Sequence, residues 1–322
     1  MSVLTLGSIV SSLTCPRCRA ALVASEGGFR CSGPGCNLSR PGAFPRVGGQ
    51  PVLVDFEQSI LEPREFADAE AEQLPPVVHR WSLDRAPRWL RSILKPPNRV
   101  AARNVDALLS RLDGSATVLV VGGGTIGNGT ERLYSDDRVR VIAFDIYRSP
   151  TTQFVADAHA IPLADGSVDA VVVQAVLEHV LDPERVVAEI WRVLRPNGLV
   201  YAETPFLQHV HAGPYDFTRF TSSGHRYLFR RFTELDAGPV AGPGTQLLWS
   251  VDHLLRGLLR SELAGKLARV ALFGLRYLDR AVPDAYAMDA ASAYFFLGER
   301  SERELTPQEI VRYYRGAQQL RS

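Results

Sequence analysis

Thr117-Val-Leu-Val-Val-Gly122-Gly123-Gly124-Thr125-Ile126-Gly127 is the stretch from which the chain is best read. Its first half is a β-branched apolar run bounded by glycine, the pattern of a buried strand in a parallel sheet. Its second half fits G-x-G-x-x-G. There, missing side chains let the backbone approach a ligand closely, and the next helix presents free N–H groups. A second strand, Arg140 to Phe144, ends in Asp145, 21 residues after Gly124. An acid about 20 residues on, at the tip of strand two, is placed to accept hydrogen bonds from both ribose hydroxyls. Together these features predict an α/β sheet that binds an adenosine-containing cofactor.

NAD, FAD and S-adenosylmethionine all satisfy that pattern, and the following stretch discriminates between them. From residue 154 to 180 it reads Phe-Val-Ala-Asp-Ala-His-Ala-Ile-Pro-Leu-Ala-Asp-Gly-Ser-Val-Asp-Ala-Val-Val-Val-Gln-Ala-Val-Leu-Glu-His-Val. Asp182-Pro183-Glu184 follow, then a helix through Glu189-Ile-Trp-Arg-Val-Leu, then Arg195-Pro-Asn-Gly. This closely resembles the type 11 branch of the class I S-adenosylmethionine-dependent methyltransferases. Their pattern is D-A-x-x-L/I-P-x-x-D-x-S-x-D-x-V, V-L-E-H-V and E-x-x-R-V-L-x-P-x-G. The resemblance implies a Rossmann-like α/β sheet, mostly parallel, with an antiparallel last strand. The chain has no Tyr-x-x-x-Lys and no Gly-Lys-Ser/Thr phosphate loop.

The resemblance carries over by position. Gly122, Gly123, Gly124 and Gly127 would cradle the methionine part of the cofactor. Asp145 would hold the ribose, Asp157 with the backbone of Ala158 would meet the adenine amino edge, and Gln174 would line the methionine side. One departure stands out: the family often has an acid two residues before the first glycine, and here that position is Val120.

Methyl transfer from a sulfonium is an in-line displacement, so the protein mainly aligns acceptor and methyl and excludes water. An alcohol acceptor also needs a base, near the carboxyl ends of strands four and five. Beyond strand five, Leu199 to Thr204, the chain reads Pro205-Phe-Leu-Gln-His-Val-His-Ala-Gly-Pro-Tyr-Asp-Phe-Thr-Arg-Phe-Thr. This is similar to type 11 enzymes of polysaccharide and glycoconjugate pathways, whose loop reads roughly P-F-x-x-x-x-H-x-x-P-x-D-Y-x-R-F-T. On that pattern His211 is the matched histidine and Asp216 the matched acid; His211 is expected as the general base, and Asp216 to orient it or to fix Arg219 in a structural pair. His209 is a further catalytic candidate or an exposed turn residue. Glu178 and His179 begin the next helix, in a structural or capping role.

All four cysteines fall in the first 36 residues, as Cys15, Cys18, Cys31 and Cys36. Two close pairs separated by a short ribbon suit a tetrahedral structural zinc site with no open position. The segment after them, Gly-Ala-Phe-Pro-Arg-Val-Gly-Gly-Gln-Pro-Val-Leu-Val-Asp, resembles the close of small zinc-ribbon proteins that partner tRNA and protein methyltransferases. The expected organisation is a zinc ribbon over 1–57, a helical linker or lid over 58–100 and a methyltransferase domain over 101–322. Trp81 and Trp89 lie in the linker, and residues 99–112 lead into the main domain as a helix.

Length and charge set the outer limits. The chain has 322 residues, a formal net charge of +1, 46% hydrophobic and 22% charged residues. That is a globular balance, and it disfavours extended nucleic-acid binding. No signal peptide and no membrane-spanning run is read, so a cytoplasmic protein is the expectation. A sixth strand is expected over 231–241, and Ala293-Tyr-Phe-Phe-Leu-Gly as the last, antiparallel one. Between them residues 246–288 read as a helical insertion, with leucines at helical spacing and interleaved arginines over 254–280. That insertion is a cap on the sheet, a homodimer face, or a peripheral membrane contact suited to a lipid-linked acceptor. Residues 302–320 read as a final helix opened by Thr306-Pro307 with Glu309 as its cap. The expected reaction is O-methylation of a sugar hydroxyl on a glycan, glycolipid or related small molecule. The rivals are RNA methylation and an inactive interaction protein.

Overall fold

The computed structural model describes residues 3–66, 87, 93–94 and 96–319. Most of the expected linker or lid, Trp81 and Trp89 included, lies outside the described residues. A short helix, α1 Leu6–Ile9, is followed by four short strands, β1 Leu22–Ser25, β2 Gly28–Cys31, β3 Phe44–Val47 and β4 Gln50–Pro51, paired antiparallel in that order. The main sheet holds β5 Ala116–Val121, β6 Val139–Asp145, β7 Phe154–Val155, β8 Val168–Gln174, β9 Leu194–Pro205, β10 Phe232–Ala241 and β11 Ala293–Arg300. Their order is β10-β11-β9-β8-β5-β6-β7.

Every residue of β5 is buried, as its β-branched run requires. β5 pairs parallel with β6 and β8, and β8 with β9. β11 runs antiparallel between β9 and β10. This is the expected sheet, with the last strand antiparallel. Chain order reverses between β5 and β8, so the crevice at their carboxyl ends is the place for a ligand.

Alternation along the strands divides the core in two. Val118, Val120, Val172 and Tyr201 face α2, Arg99–Leu109, through its Ala101, Val105 and Leu108. Leu119, Val121, Phe144, Val173 and Val200 face the other way, towards α3, Pro183–Val193, and its Val186 and Ile190. Asp182 caps α3 by accepting from Arg185 N, with Pro183 in the first turn.

The N-terminal strands are not a separate body. Ile9, Leu13, Leu22, Phe29 and Phe44 belong to the same apolar cluster as Phe144 and Ile161. Val3 and Val52 make parallel bridges to Val141 and Val155, so this segment also covers the edge of the main sheet.

Three elements differ from expectation. No α-helix follows the glycine loop. The chain makes only a 3-10 turn, Glu131–Tyr134, because Gly127, Asn128 and Gly129 extend the loop and Gly129 sits at φ +91°. Glu178 and His179 do not begin a helix but lie in a separate 3-10 turn, Leu177–His179. The final helix spans only Pro307–Arg312, though Thr306 and Glu309 form the expected capping box. The insertion comprises Pro243–Leu259, Glu262–Ala271, a 3-10 stretch Phe273–Arg280 and Asp284–Asp289. No described helix is long and apolar enough to cross a membrane.

Candidate active site and cofactor cleft

Gly122 leaves β5 at φ +73°, a turn that suits glycine. A Cβ there would lie 2.3 Å from Val176, which is brought over the loop by Ala175 in the left-handed region at φ 54°. A left-handed alanine is uncommon, and such backbone tends to mark sites. A Cβ on Gly124 would meet Tyr147 and Asp145 at 2.3 and 2.7 Å, and one on Gly127 would meet Gln174 at 2.0 Å. The glycines thus bring bare backbone to Asp145 and Gln174, the residues read as cofactor ligands.

Asp145 accepts from Gly124 N at 2.8 Å and from Ile146 N at 2.7 Å. Burial pushes its carboxyl up to about 6, against the pull of those two N–H groups. A carboxylate this poorly compensated suits further donors, which a ribose would supply. Asp157 is already engaged: it accepts from His159 N at 2.9 Å, contacts His159 Nδ1 at 2.6 Å and accepts from the Ser59 hydroxyl. Burial raises its pKa, but these contacts outweigh that and hold it below the ordinary value. What Asp157 and Ala158 offer to an adenine is therefore mainly backbone.

A carboxylate that the sequence reading missed lies next to Gln174. Glu203, near the end of β9, is 7% exposed. It accepts from Asn98 Nδ2 at 2.9 Å, from Gln174 Nε2 at 2.7 Å and from the Tyr201 hydroxyl. Burial raises its pKa, and these neutral donors offset only part of that. The available signal was a glutamate inside an otherwise apolar strand, Leu199 to Thr204.

Beyond β9 the loop brings some candidates together and separates others. Asp216 accepts from His211 N at 2.9 Å and from Arg219 Nη2 at 2.8 Å, so it both fixes Arg219 and shapes the His211 turn. That pairing holds its carboxyl well below the usual range, against the upward push of burial. His211 joins Glu178 and His179: its Nε2 lies 3.7 Å from Glu178 Oε1, and the two imidazole centroids are 4.9 Å apart. Burial lowers the pKa of His211, and the neighbouring His179 adds to that. An imidazole so placed is neutral at pH 7 and can accept a proton. His209 points elsewhere and stacks on His253, centroids 4.0 Å apart.

The four cysteine sulfurs converge within 4.8 Å of one another. Cys15 and Cys36 are 3.9 Å apart and Cys18 and Cys31 3.3 Å, so none is bridged. Tetrahedral Zn–S bonds of about 2.3 Å put sulfurs about 3.8 Å apart. The donor set therefore fits a closed zinc site. The strands that carry it reach the cofactor loops: Gln50 Nε2 donates to the carbonyls of Ser149 and Thr152, each at 2.6 Å.

Comparison with known proteins bears on this geometry. Residues 119–202 match the family described as methyltransferase domain. A demethylmenaquinone methyltransferase of Renibacterium salmoninarum is 38% identical over 109 residues, 30% of this chain and 44% of that protein. An uncharacterised 37.1 kDa protein in a transposon of Streptomyces fradiae is 45% identical over 51 residues, 16% of this chain and 15% of that one. The chain thus spans less than half the length of either relative. Among solved structures, phosphoethanolamine N-methyltransferase 2 of Haemonchus contortus, in complex with S-adenosylmethionine, aligns at a TM-score of 0.44 and 16% identity, over 66% of this chain and 56% of that one. The complex of a Haloferax volcanii methyltransferase activator with its methyltransferase aligns at 0.40 and 16%, over 67% and 98%. The stretch that matches the methyltransferase-domain family, 119–202, holds the glycine loop, Asp145, Asp157 and Gln174.

Proposed function

We propose that the chain is an S-adenosylmethionine-dependent methyltransferase that O-methylates a sugar hydroxyl on a glycan, glycolipid or related small molecule. One observation carries this reading. The glycine loop and Asp145 lie at the switch point of the sheet, and a loop carrying a neutral, half-buried imidazole follows the second strand beyond it.

When bound, S-adenosylmethionine supplies an electrophilic methyl on sulfur, so the protein need only bind, orient and exclude water. Gly122, Gly123, Gly124 and Gly127 cradle the methionine part. Asp145 accepts the ribose hydroxyls, and the backbone at Asp157 and Ala158 meets the adenine edge. Glu203 takes over the methionine ammonium in place of the acid missing at Val120. It is a buried carboxylate whose hydrogen-bond partners named above are all neutral, so a cation beside it is strongly favoured. With no cation at its Nε2, His211 receives the acceptor's hydroxyl proton there as the new O–C bond forms and the methyl–sulfur bond breaks, its electron pair returning to sulfur. Asp216 positions His211. Cys15, Cys18, Cys31 and Cys36 hold a structural zinc ion remote from the reaction.

The test has two parts. Calorimetry with S-adenosylmethionine reads binding, expected at micromolar affinity and lost in Asp145→Ala. Methyl-labelled cofactor with fractionated extract of the source organism reads the acceptor. Label in glycan or glycolipid supports the reading. Label in RNA overturns the acceptor, and absence of cofactor binding overturns the enzyme.

A further inference from the structure

Glu178, beside the acceptor loop, has a side chain only 1% exposed, and neither carboxylate oxygen has a hydrogen-bond partner. Two imidazoles face it. His179 Nε2 lies 3.6 Å and His211 Nε2 3.7 Å from Glu178 Oε1. Each ring is held from its other side. His179 Nδ1 sits 2.8 Å from the Tyr215 carbonyl, and His211 Nδ1 lies 3.4 Å from the His209 carbonyl and 3.5 Å from Asp216 Oδ2. Carbonyls and carboxylates only accept, so in both rings the hydrogen belongs on Nδ1 and Nε2 carries a bare lone pair. With Glu178 ionised, three acceptors converge with no donor between them; burial pushes its carboxyl up to about 8, so a proton on Glu178 is the donor when no cation is there.

Such an arrangement needs a positive centre. The ligand atoms lie within 4.8 Å of one another. Metal–ligand bonds of about 2.0–2.2 Å place two ligands roughly 3–3.6 Å apart, close to the separations seen here. The outer contacts at both Nδ1 atoms are those that fix a metal-binding imidazole in its tautomer and orientation. The two rings are 25% and 31% exposed, so the point is reachable from solvent.

We propose that Glu178, His179 and His211 bind a divalent cation of the zinc class, leaving coordination positions open towards the acceptor loop. Two histidines and one carboxylate with open positions make a catalytic rather than a structural donor set. This site is distinct from the four cysteines, which offer only sulfur and no open position. Resting on the methyltransferase reading, it also names a role: an acceptor hydroxyl oxygen fills an open position. With the cation bound, the His211 lone pair is spent on it. The hydroxyl O–H bond then breaks with its electron pair remaining on the cation-bound oxygen, and the proton passes to solvent water.

The test counts metal on the purified full chain. After exhaustive dialysis and zinc reloading, the native chain is expected to hold two zinc equivalents, and Glu178→Gln and His211→Ala one each. In cobalt-loaded protein both variants keep the near-ultraviolet thiolate band of the cysteine site. Affinity for S-adenosylmethionine, read by calorimetry, stays within about threefold of native, which shows that the variants fold and separates this site from the enzyme reading. A second measurement needs no variant: manganese, which disfavours thiolate ligands, should bind the native chain at one equivalent by electron paramagnetic resonance and be displaced by zinc. One zinc equivalent in the native chain, or a second equivalent that survives both substitutions, overturns the proposal and leaves a shared proton as the positive centre. Failure of cofactor binding with two zinc equivalents intact would overturn the methyltransferase reading and leave the metal site standing.

Discussion

Arg19 and Glu189 join the cysteine-bearing segment to the main sheet domain through a forked ion pair, with N–O distances of 2.6 and 2.7 Å. Arg19 directly follows Cys18 and sits in the left-handed region at φ 65°, which aims its side chain at α3. Glu189 also accepts from Arg192 and from Ile161 N at 3.0 Å. It is thus the common acceptor for two arginines and a backbone amide, and its side chain is only 9% exposed.

The two partners should not be equal in energy. Arg19 is partly exposed, so Arg19→Ala removes a solvent-screened pair and costs about 1 kcal/mol. Glu189→Ala orphans the Ile161 amide and takes two hydrogen bonds from Arg192, which keeps Asp165 and the carbonyls of Ile161 and Leu163, a loss of roughly 2–3 kcal/mol. Urea unfolding of both variants reads the difference. Equal losses would mean that the docking of the two segments does not depend on Glu189.

Removing metal from the cysteines should be felt throughout the chain. Cys15 and Cys31 are fully buried in the cluster that also contains Phe144 and Ile161. The same segment supports the cofactor loops through Gln50 and through Ser59, which donates to Asp157. Chelation, or Cys31→Ser, is therefore expected to lower the single thermal transition by more than 10 °C and to weaken S-adenosylmethionine at least tenfold. Two separate transitions, with cofactor affinity intact, would show the ribbon to be an independent module.

Asp145 gives cofactor binding a pH dependence of known sign. Burial places its carboxyl at about 6, and only the ionised form can accept from both ribose hydroxyls. Affinity should be flat above pH 7 and fall about tenfold per pH unit below 6. Asp145→Asn should bind more weakly and without that slope between pH 5 and 7.5. A native chain whose calorimetric affinity does not change over that range would remove Asp145 from the ribose site.

Much of this arrangement is legible in sequence, because local signals and tertiary demands agree. The β-branched run before Gly122 must be buried, Asp182-Pro183 must start a helix, and Thr306 with Glu309 must cap one. The sequence reading loses accuracy where distant partners decide. Gly127 and Gly129 lengthen the glycine loop until no helix follows it, and Gly129 is held by close approach to Asn98 and Ala101 of a different element. His209 and His211 are two residues apart, yet one stacks on His253 and the other meets Glu178. Glu178 itself reads as part of a helix start, and only the fold reveals that its carboxylate is unpartnered. The merging of the ribbon with the main core is equally non-local.

Glu203 and Val120 allow the sharpest test of how the cofactor is held. Val120 lies on the same face of the sheet as Tyr201, and Glu203 is two residues beyond Tyr201 on its strand. An acid absent from β5 is thus supplied on that face by β9. Glu203→Gln keeps the shape and most of the hydrogen bonds while removing the charge. A charged hydrogen bond of about 1.5–3 kcal/mol corresponds to a loss of roughly 10- to 100-fold in S-adenosylmethionine affinity. Methylthioadenosine, which lacks the amino acid part, should bind the native and substituted chains within about twofold of each other. Equal losses for both ligands would mean that Glu203 supports the cleft through Asn98 and Gln174 and does not meet the ammonium. Adding Val120→Asp to the substituted chain should then restore affinity for S-adenosylmethionine only if the two carboxylates serve the same group, because position 120 approaches the glycine loop from the strand that carries it.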